Sequence, residues 1–535
     1  MHGKSPTTNL NSATLTDVKD KSYEVALQFI GQIRFARSCI SAIRSRVRGL
    51  RWICSVFLTT TGMVVLLFDI AACGKQRPSA GLSKLKSCRV DGIDEKLLCG
   101  KLTVFENRET RTGRTIDLNI VVLPALDQKN KAEPLFDLAG GPGASSVDAA
   151  GFYAREGKEY RRRHDVVCVD QRGTGQSNRL AIPQEKTAQH YLREMYPVDY
   201  VQKMRQELEK RADLTKYTTS IAMDDLDDVR AWLGYDRINL IGGSYGTRAV
   251  LVYMRRHSEH VRSAILLAVA PTDLKLPLHH SESAARAMDL LLGECERDAR
   301  CKAAFPQIRD EWKKVLEQLE KQPALAEYSP PGKSAPTTVE IQRSVFAEKI
   351  RIWMYRRDQA ARIPMIVHHA ANGDFAPFLQ QAIAPSIPDF VADGMYLSVT
   401  CAEDVPLIDQ EEATKLTEGN PFGNYRVFQQ TRACGMWPRG EIPADFLEPV
   451  HSNAPVLIFS GNMDPVTPPK YGEQVARHLP NSRHVVIPEA GHGADGLTDP
   501  GCFDRIAIEF LDKGDTKNLD VSCVERMAPP PFVTK

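Results

Sequence analysis

The stretch that most constrains this chain is residues 237–250, Arg-Ile-Asn-Leu-Ile-Gly-Gly-Ser-Tyr-Gly-Thr-Arg-Ala-Val. Ile238, Leu240 and Ile241 read as an apolar strand, residues 247–256 read as a helix, and Gly242-Gly243-Ser244-Tyr245-Gly246 lies between them. A serine at the tip of so sharp a turn needs neighbours without a Cβ, because strand and helix close on either side of it. Gly242 and Gly246 meet that need. The turn lifts the Ser244 hydroxyl above the sheet edge and sets the Tyr245 amide beside it, at the positive end of the helix. Ser244 is the expected nucleophile; a glycine-rich turn with an incidental serine is the competing reading.

A serine hydroxyl is inert until a base removes its proton, and the base needs a carboxylate to fix its tautomer. After such an elbow the expected chain order is serine, acid, histidine. Residues 455–460 read as an apolar strand followed by Gly461-Asn462-Met463-Asp464-Pro465-Val466-Thr467-Pro468, where a helix begins. Residues 483–487 read as the last strand, and Gly491-His492-Gly493 follows Pro488-Glu489-Ala490. Between two glycines His492 has nothing to pack against, so it is the expected base. Asp464 is the expected acid, with Glu489 and Asp495 as substitutes. His164 and His451 read as surface histidines.

Earlier in the chain, Leu97–Phe105 and Thr115–Leu123 alternate as an antiparallel pair around Thr112-Gly113. Residues 134–138 form a short strand leading into Ala139-Gly140-Gly141-Pro142-Gly143, whose bare backbone can approach a reacting carbonyl. Pro142 has no N–H, so Gly141 joins Tyr245 as the expected oxyanion pair. A buried strand at 165–169 ends in Asp170-Gln171-Arg172-Gly173, in which Asp170 and Arg172 are expected to fix the loop. A helix is expected over 221–233, capped by Ser220, and a strand over 261–269. Strands alternating with helices imply an α/β protein with a mostly parallel central sheet flanked by helices, and with the elbow at the carboxyl end of a central strand.

Residues 281–452 interrupt that core, dividing it into 88–280 and 453–535. Helices at 284–292, 308–320, 344–355 and 364–369, with a Pro-rich loop at 323–336, predict an inserted helical cap that excludes water and restricts access to narrow ligands. Trp353, Met354, Phe422 and Trp437 are candidates to line a side-chain pocket.

Residues 1–72 read as an extension and export leader. Arg34, Arg37, Arg44, Arg46, Arg48 and Arg51 precede an uncharged run at 52–68, and Ile70-Ala71-Ala72-Cys73 resembles a lipoprotein box in which Cys73 carries lipid. Residues 73–87 then form a tether. An uncleaved membrane anchor is the rival reading, and both expect the catalytic body in the cell envelope, attached to a membrane. Of twelve cysteines, Cys39 and Cys54 fall in or before the leader, Cys73 is the expected lipid carrier and Cys168 reads as a buried thiol. The other eight pair by proximity as Cys88 with Cys99, Cys295 with Cys301, Cys401 with Cys434, and Cys502 with Cys523. No C-x-x-C or H-E-x-x-H is present, so neither metal nor cofactor is expected. The net charge of +2 implies no polyanionic partner, and nucleic acid is not expected.

Gly140-Gly141-Pro142-Gly143, Asp170-Gln171-Arg172-Gly173, the elbow, Asp464 and Gly491-His492 together resemble the α/β-hydrolase fold, specifically its prolyl and tripeptidyl aminopeptidase branch, over residues 88–523. Thr400-Cys401-Ala402-Glu403-Asp404-Val405-Pro406 is similar to the Cys-x-Glu segment of the tripeptidyl-aminopeptidase-like subgroup. The resemblance implies that Glu403 binds the free α-amino group of a peptide. Ala139 and Tyr245 depart from the histidine and tryptophan frequent in prolyl aminopeptidases, which speaks against proline preference. The expectation is an exported serine exopeptidase acting near the free amino terminus of peptides. Its rivals are an esterase or other small-molecule hydrolase on the same fold, and a non-catalytic envelope binding protein.

Overall fold

The computed structural model describes residues 81–184, 187–329, 335–383 and 391–535. The expected leader, with Cys73, lies outside the described residues.

The strands in chain order are β1 (Lys86–Cys88), β2 (Leu97–Phe105), β3 (Thr115–Leu123), β4 (Leu135–Leu138), β5 (Val166–Val169), β6 (Ile238–Gly243), β7 (Val261–Leu267), β8 (Ala324–Tyr328), β9 (Thr337–Ile341), β10 (Val456–Gly461) and β11 (Ser482–Ile487). Nine of them form one sheet in the order β1-β2-β3-β5-β4-β6-β7-β10-β11. The strands from β1 to β5 pair antiparallel, and those from β5 through β11 pair parallel. After β4 the chain steps to one side to make β5 and returns on the other to make β6. This reversal opens a crevice at the carboxyl ends of β4 and β6, where such sheets bind ligands.

Both faces of the sheet are covered, so the central strands read as near-continuous apolar runs. Ile120, Val122, Phe136, Val167 and Leu240 join one hydrophobic cluster, while Val121, Leu123, Leu135, Val166 and Ile241 join the other. Cys168, a free thiol, is buried in the second. One face is covered by the helices Thr219–Trp232 and Tyr245–Arg256. The first starts earlier than expected, so Ser220 lies inside it and does not cap it. Its leading amide, Thr219 N, instead donates to Glu403 Oε1 at 2.6 Å.

Between β7 and β10 the helices His280–Arg297, Ile308–Lys321, Arg343–Trp353 and Ile363–Ala371 build a separate cluster around Trp312, Phe346 and Phe378. The expected Pro-rich loop carries the hairpin β8-β9, because the inward Val339 and Ile341 alternate and are buried. The later helix Asp393–Glu403 packs with the sheet-side cluster instead. Trp353, Met354 and Phe422 are buried in the cap cluster and Trp437 in the sheet-side cluster, so all four are packing residues. Four disulfides join Cys88–Cys99, Cys295–Cys301, Cys401–Cys434 and Cys502–Cys523. Among the described residues no helix is long and apolar enough to cross a membrane.

The loop after β5 is held by buried charge. Asp170 accepts from Asn119 Nδ2, Ser145 Oγ and the amides of Val147 and Gln176. Arg172 donates Nε and Nη2 to the two oxygens of Asp225 at 2.7 and 2.9 Å, with Arg108 Nη1 also on Asp225 at 2.8 Å. Breaking a buried pair strands the surviving charge. Arg172→Met should therefore lower unfolding free energy by about 3 kcal/mol in urea titration, near the low end for buried pairs because Arg108 remains.

Candidate active site

The elbow is built on two bare contacts. A Cβ on Gly242 would stand 2.4 Å from the Gly246 carbonyl oxygen, and one on Gly246 would stand 2.1 Å from that of Leu138. Only glycine permits either approach. Ser244 is forced to φ 56° and ψ −125°, a conformation that costs a non-glycine residue of order 1–3 kcal/mol. Its amide donates to Leu267 O at 2.9 Å, which locks the turn to β7. The glycine loop after β4 lies directly against it: a Cβ on Gly140 would stand 3.2 Å from Ser244 Cβ. Gly141 and Gly143 have φ of 112° and 110°. Among the described residues the amides of Gly141 and Tyr245 donate to no acceptor.

A second pair of loops brings Asp464 and His492 together. β10 and β11 end side by side, and a Cβ on Gly461 would stand 1.9 Å from the Gly491 carbonyl oxygen. Met463 N donates to Ala490 O at 2.8 Å, tying the loops. His492 Nδ1 donates to Asp464 Oδ2 at 2.8 Å, which leaves Nε2 as the basic nitrogen. Asp464 is fully buried, and its Oδ1 accepts from the amides of Val466 and Thr467 at 2.8 and 2.9 Å. Burial pushes this carboxyl up, but His492 and the two amides outweigh it and hold it below the usual carboxylate range.

The cap completes the wall behind the histidine. His492 N donates to Tyr355 O at 2.9 Å, and the Tyr355 ring lies 4.6 Å from the imidazole. His492 was expected to stand free between its glycines; instead it packs against this ring. Gly491 has no Cβ because Met354 O and Tyr355 O would be 2.7 and 2.5 Å from it. Ser244, Asp464 and His492 thus follow the carboxyl ends of β6, β10 and β11. Among the described residues the Ser244 hydroxyl makes no hydrogen bond, so the contact formed is that of Asp464 with His492.

The other candidates lie elsewhere. Glu489 faces Arg357 at 3.7 Å and Asp495 faces Arg356 at 3.5 Å. His451 is exposed, but His164 is buried, its Nδ1 2.6 Å from Glu133 O. Glu403 is buried beneath the elbow: Thr219 N donates to Oε1 at 2.6 Å and Thr219 Oγ1 to Oε2 at 2.7 Å. Thr219 Oγ1 also lies 2.7 Å from the Tyr245 hydroxyl. Arg248, in the elbow helix, reaches Asp404 Oδ1 at 2.9 Å and Glu403 Oε2 at 3.9 Å. Two residues were missed in the sequence. Thr467, whose Oγ1 donates to Asp464 Oδ2 at 2.9 Å, was signalled by its place three residues after an aspartate. Tyr355 had no such signal.

Burial raises the Glu403 carboxyl to about 7, the nearby Asp404 adding to it against Arg248 and Thr219. A carboxyl raised in the folded state binds an extra proton there between its unfolded value of 4.5 and about 7. Stability should therefore fall as pH rises through that window. Urea titrations from pH 5 to 7.5 should show the wild type losing roughly 1–3 kcal/mol relative to Glu403→Gln.

Comparison with known proteins finds likenesses over most of the chain. Residues 134–299 match the alpha/beta hydrolase fold family and residues 419–523 match the TAP-like protein family. Serine protease Hip1 of Mycobacterium tuberculosis is 24% identical over 470 residues, covering 80% of this chain and 87% of that protein. Tripeptidyl aminopeptidase of Streptomyces lividans is 24% identical over 489 residues, covering 83% and 87%. The chain carries the α/β-hydrolase fold with a TAP-like region at residues 419–523, and these likenesses support a serine hydrolase of the peptidase type.

Proposed function

We propose that this protein is an exported serine exopeptidase that cleaves peptide bonds near the free amino terminus of peptides. The observation that carries the reading is the hydrogen bond of His492 to Asp464, on the sheet edge that also presents Ser244 in its positive-φ turn. Ser244 Oγ attacks the scissile carbonyl carbon while His492 Nε2 takes its proton, and the carbonyl electron pair moves onto oxygen. The amides of Gly141 and Tyr245 donate to that oxyanion; each such donor is worth roughly 3 kcal/mol in the transition state. The intermediate collapses, the amine leaves with the proton from His492, and an acyl ester remains on Ser244. Water, deprotonated by His492, releases the amino-terminal fragment and restores the serine. Asp464 stays ionised throughout, holding Nδ1–H and stabilising the imidazolium. The Ser244 to His492 hydrogen bond closes on substrate binding, as it commonly does in hydrolases.

Selection of a free amino terminus is assigned to Glu403, where an ammonium would take over one of the contacts now made by Thr219. A carboxylate partner of this kind discriminates against acylated peptides, which offer it no charge. The four disulfides support the exported part of the reading, since they persist in an oxidising compartment. Attachment to a membrane through Cys73 or an uncleaved anchor belongs to the same proposal.

The test compares hydrolysis of a free-amine tripeptidyl reporter, its N-acetylated copy and a simple ester. The wild type should favour the free amine over the acetylated copy by about 100-fold or more in kcat/KM, and Glu403→Gln should erase the difference. Ser244→Ala should lose on the order of 10⁴-fold in kcat and all labelling by a fluorophosphonate. Preference for the ester, or labelling that survives in Ser244→Ala, defeats the reading.

A further inference from the structure

The cap holds two guanidinium groups, those of Arg351 and Arg426, that share one carboxylate, Glu348. A cavity of about 190 Å³ lies between the helices Arg343–Trp353 and Tyr425–Cys434, and Glu348, Lys349, Tyr425 and Arg426 are among its lining. Glu348 is already matched, since Arg351 Nη2 and Nε donate to it at 2.6 and 2.9 Å. Arg426 is not. Its Nη2 donates to the Tyr396 hydroxyl at 2.8 Å, but Nη1 stays 3.9 Å from Glu348 Oε1, and Nη1 and Nε are buried without a hydrogen-bond partner. The Tyr425 hydroxyl is likewise buried and unpartnered. Lys349 makes no ion pair among the described residues, and burial holds its ammonium below the ordinary value.

A guanidinium cannot shed its proton, so a buried one with open N–H groups calls for an anion from outside. A relay of contacts runs from Glu348 in the cavity wall through Arg351 toward His492. Arg351 Nη1 donates to the Tyr355 hydroxyl at 3.1 Å, and the Tyr355 ring rests on His492. His280, both ring nitrogens buried without partners, lies within electrostatic reach of Arg351, Arg426 and His492.

We propose that this cavity binds a carboxylate of the peptide substrate, with Arg426 and the Tyr425 hydroxyl as direct donors and Lys349 as a supporting charge. The proposal rests on the peptidase reading and adds a substrate class to it: peptides bearing a negative charge on the cap side of the site. Two sources share that chemistry, an acidic side chain and the terminal carboxylate of a short peptide. A charge-assisted hydrogen bond from a buried guanidinium is strong enough to matter here.

Matched free-amine peptides separate the sources: Glu against Gln at each position, and a free carboxyl terminus against its amide. The charged member of one pair should be favoured by roughly 10-fold or more, mainly in KM. The pair that responds identifies the source. That ratio should fall to near one in Arg426→Gln and be largely kept in Arg426→Lys; Lys349→Gln should reduce it. Because each ratio is internal to one protein, partial loss of folded enzyme does not move it. Calorimetric binding of the same peptides to Ser244→Ala reads the preference without turnover, so a failed peptidase reading and a failed carboxylate site give different results. Equal affinity for both members of every pair, or a ratio unchanged in Arg426→Gln, overturns the proposal.

Discussion

Everything at the proposed catalytic edge depends on the elbow helix starting in contact with the backbone of β4. Gly246 faces the Leu138 carbonyl at a separation no side chain survives, and this lets Tyr245 open the helix beneath the glycine loop. The same approach twists Ser244 out of ordinary backbone space, so the strain at this residue is the local cost of so tight a strand-to-helix turn. It persists because the packing around it leaves no alternative: Val250, Leu251 and Tyr253 of the helix are buried, and the Ser244 amide is held by β7. Strained positions that are over-determined in this way cluster at functional sites.

The segment between β7 and β10 is tied into the sheet-side core. Asp404 neutralises Arg248 inside the elbow helix, Glu403 satisfies the leading amide of the neighbouring helix, and the Cys401–Cys434 disulfide fastens the same segment. Separating buried partners of this kind costs several kcal/mol, so that end of the insertion belongs mechanically to the core. At the other end the Tyr355 carbonyl and ring hold His492. The orientation of the His492 imidazole is thus set jointly by a core loop and by the turn that follows the helix Arg343–Trp353, and any movement of that turn would act on the imidazole.

What could be read from the sequence follows the range of the forces involved. The elbow was legible because its glycine requirement is local, and the sheet was legible because strand and helix periodicities are local too. The acid was harder to single out: Asp464, Glu489 and Asp495 all lie near His492 in sequence, and the choice falls to the close contact of Gly461 with Gly491, which no local pattern reports. The surface reading of His164 failed for the same reason, since burial is decided by segments remote in the chain. Pro-rich flanks concealed the β8-β9 hairpin. The Arg426 cluster was invisible because an inward-turned guanidinium on a charged helix looks like any solvated one until its neighbours are placed.

The order of strands also has a meaning in time. Ser244 lies before the insertion, while Asp464 and His492 lie after it, in the loops that follow β10 and β11 at the far side of the sheet order. Contacts so distant in sequence form late, because the intervening chain must be arranged before they are rewarded. On the proposed assignment, a nascent or half-folded chain carries Ser244 without its base. If Ser244, Asp464 and His492 act as proposed, hydrolytic competence waits on completion of the fold.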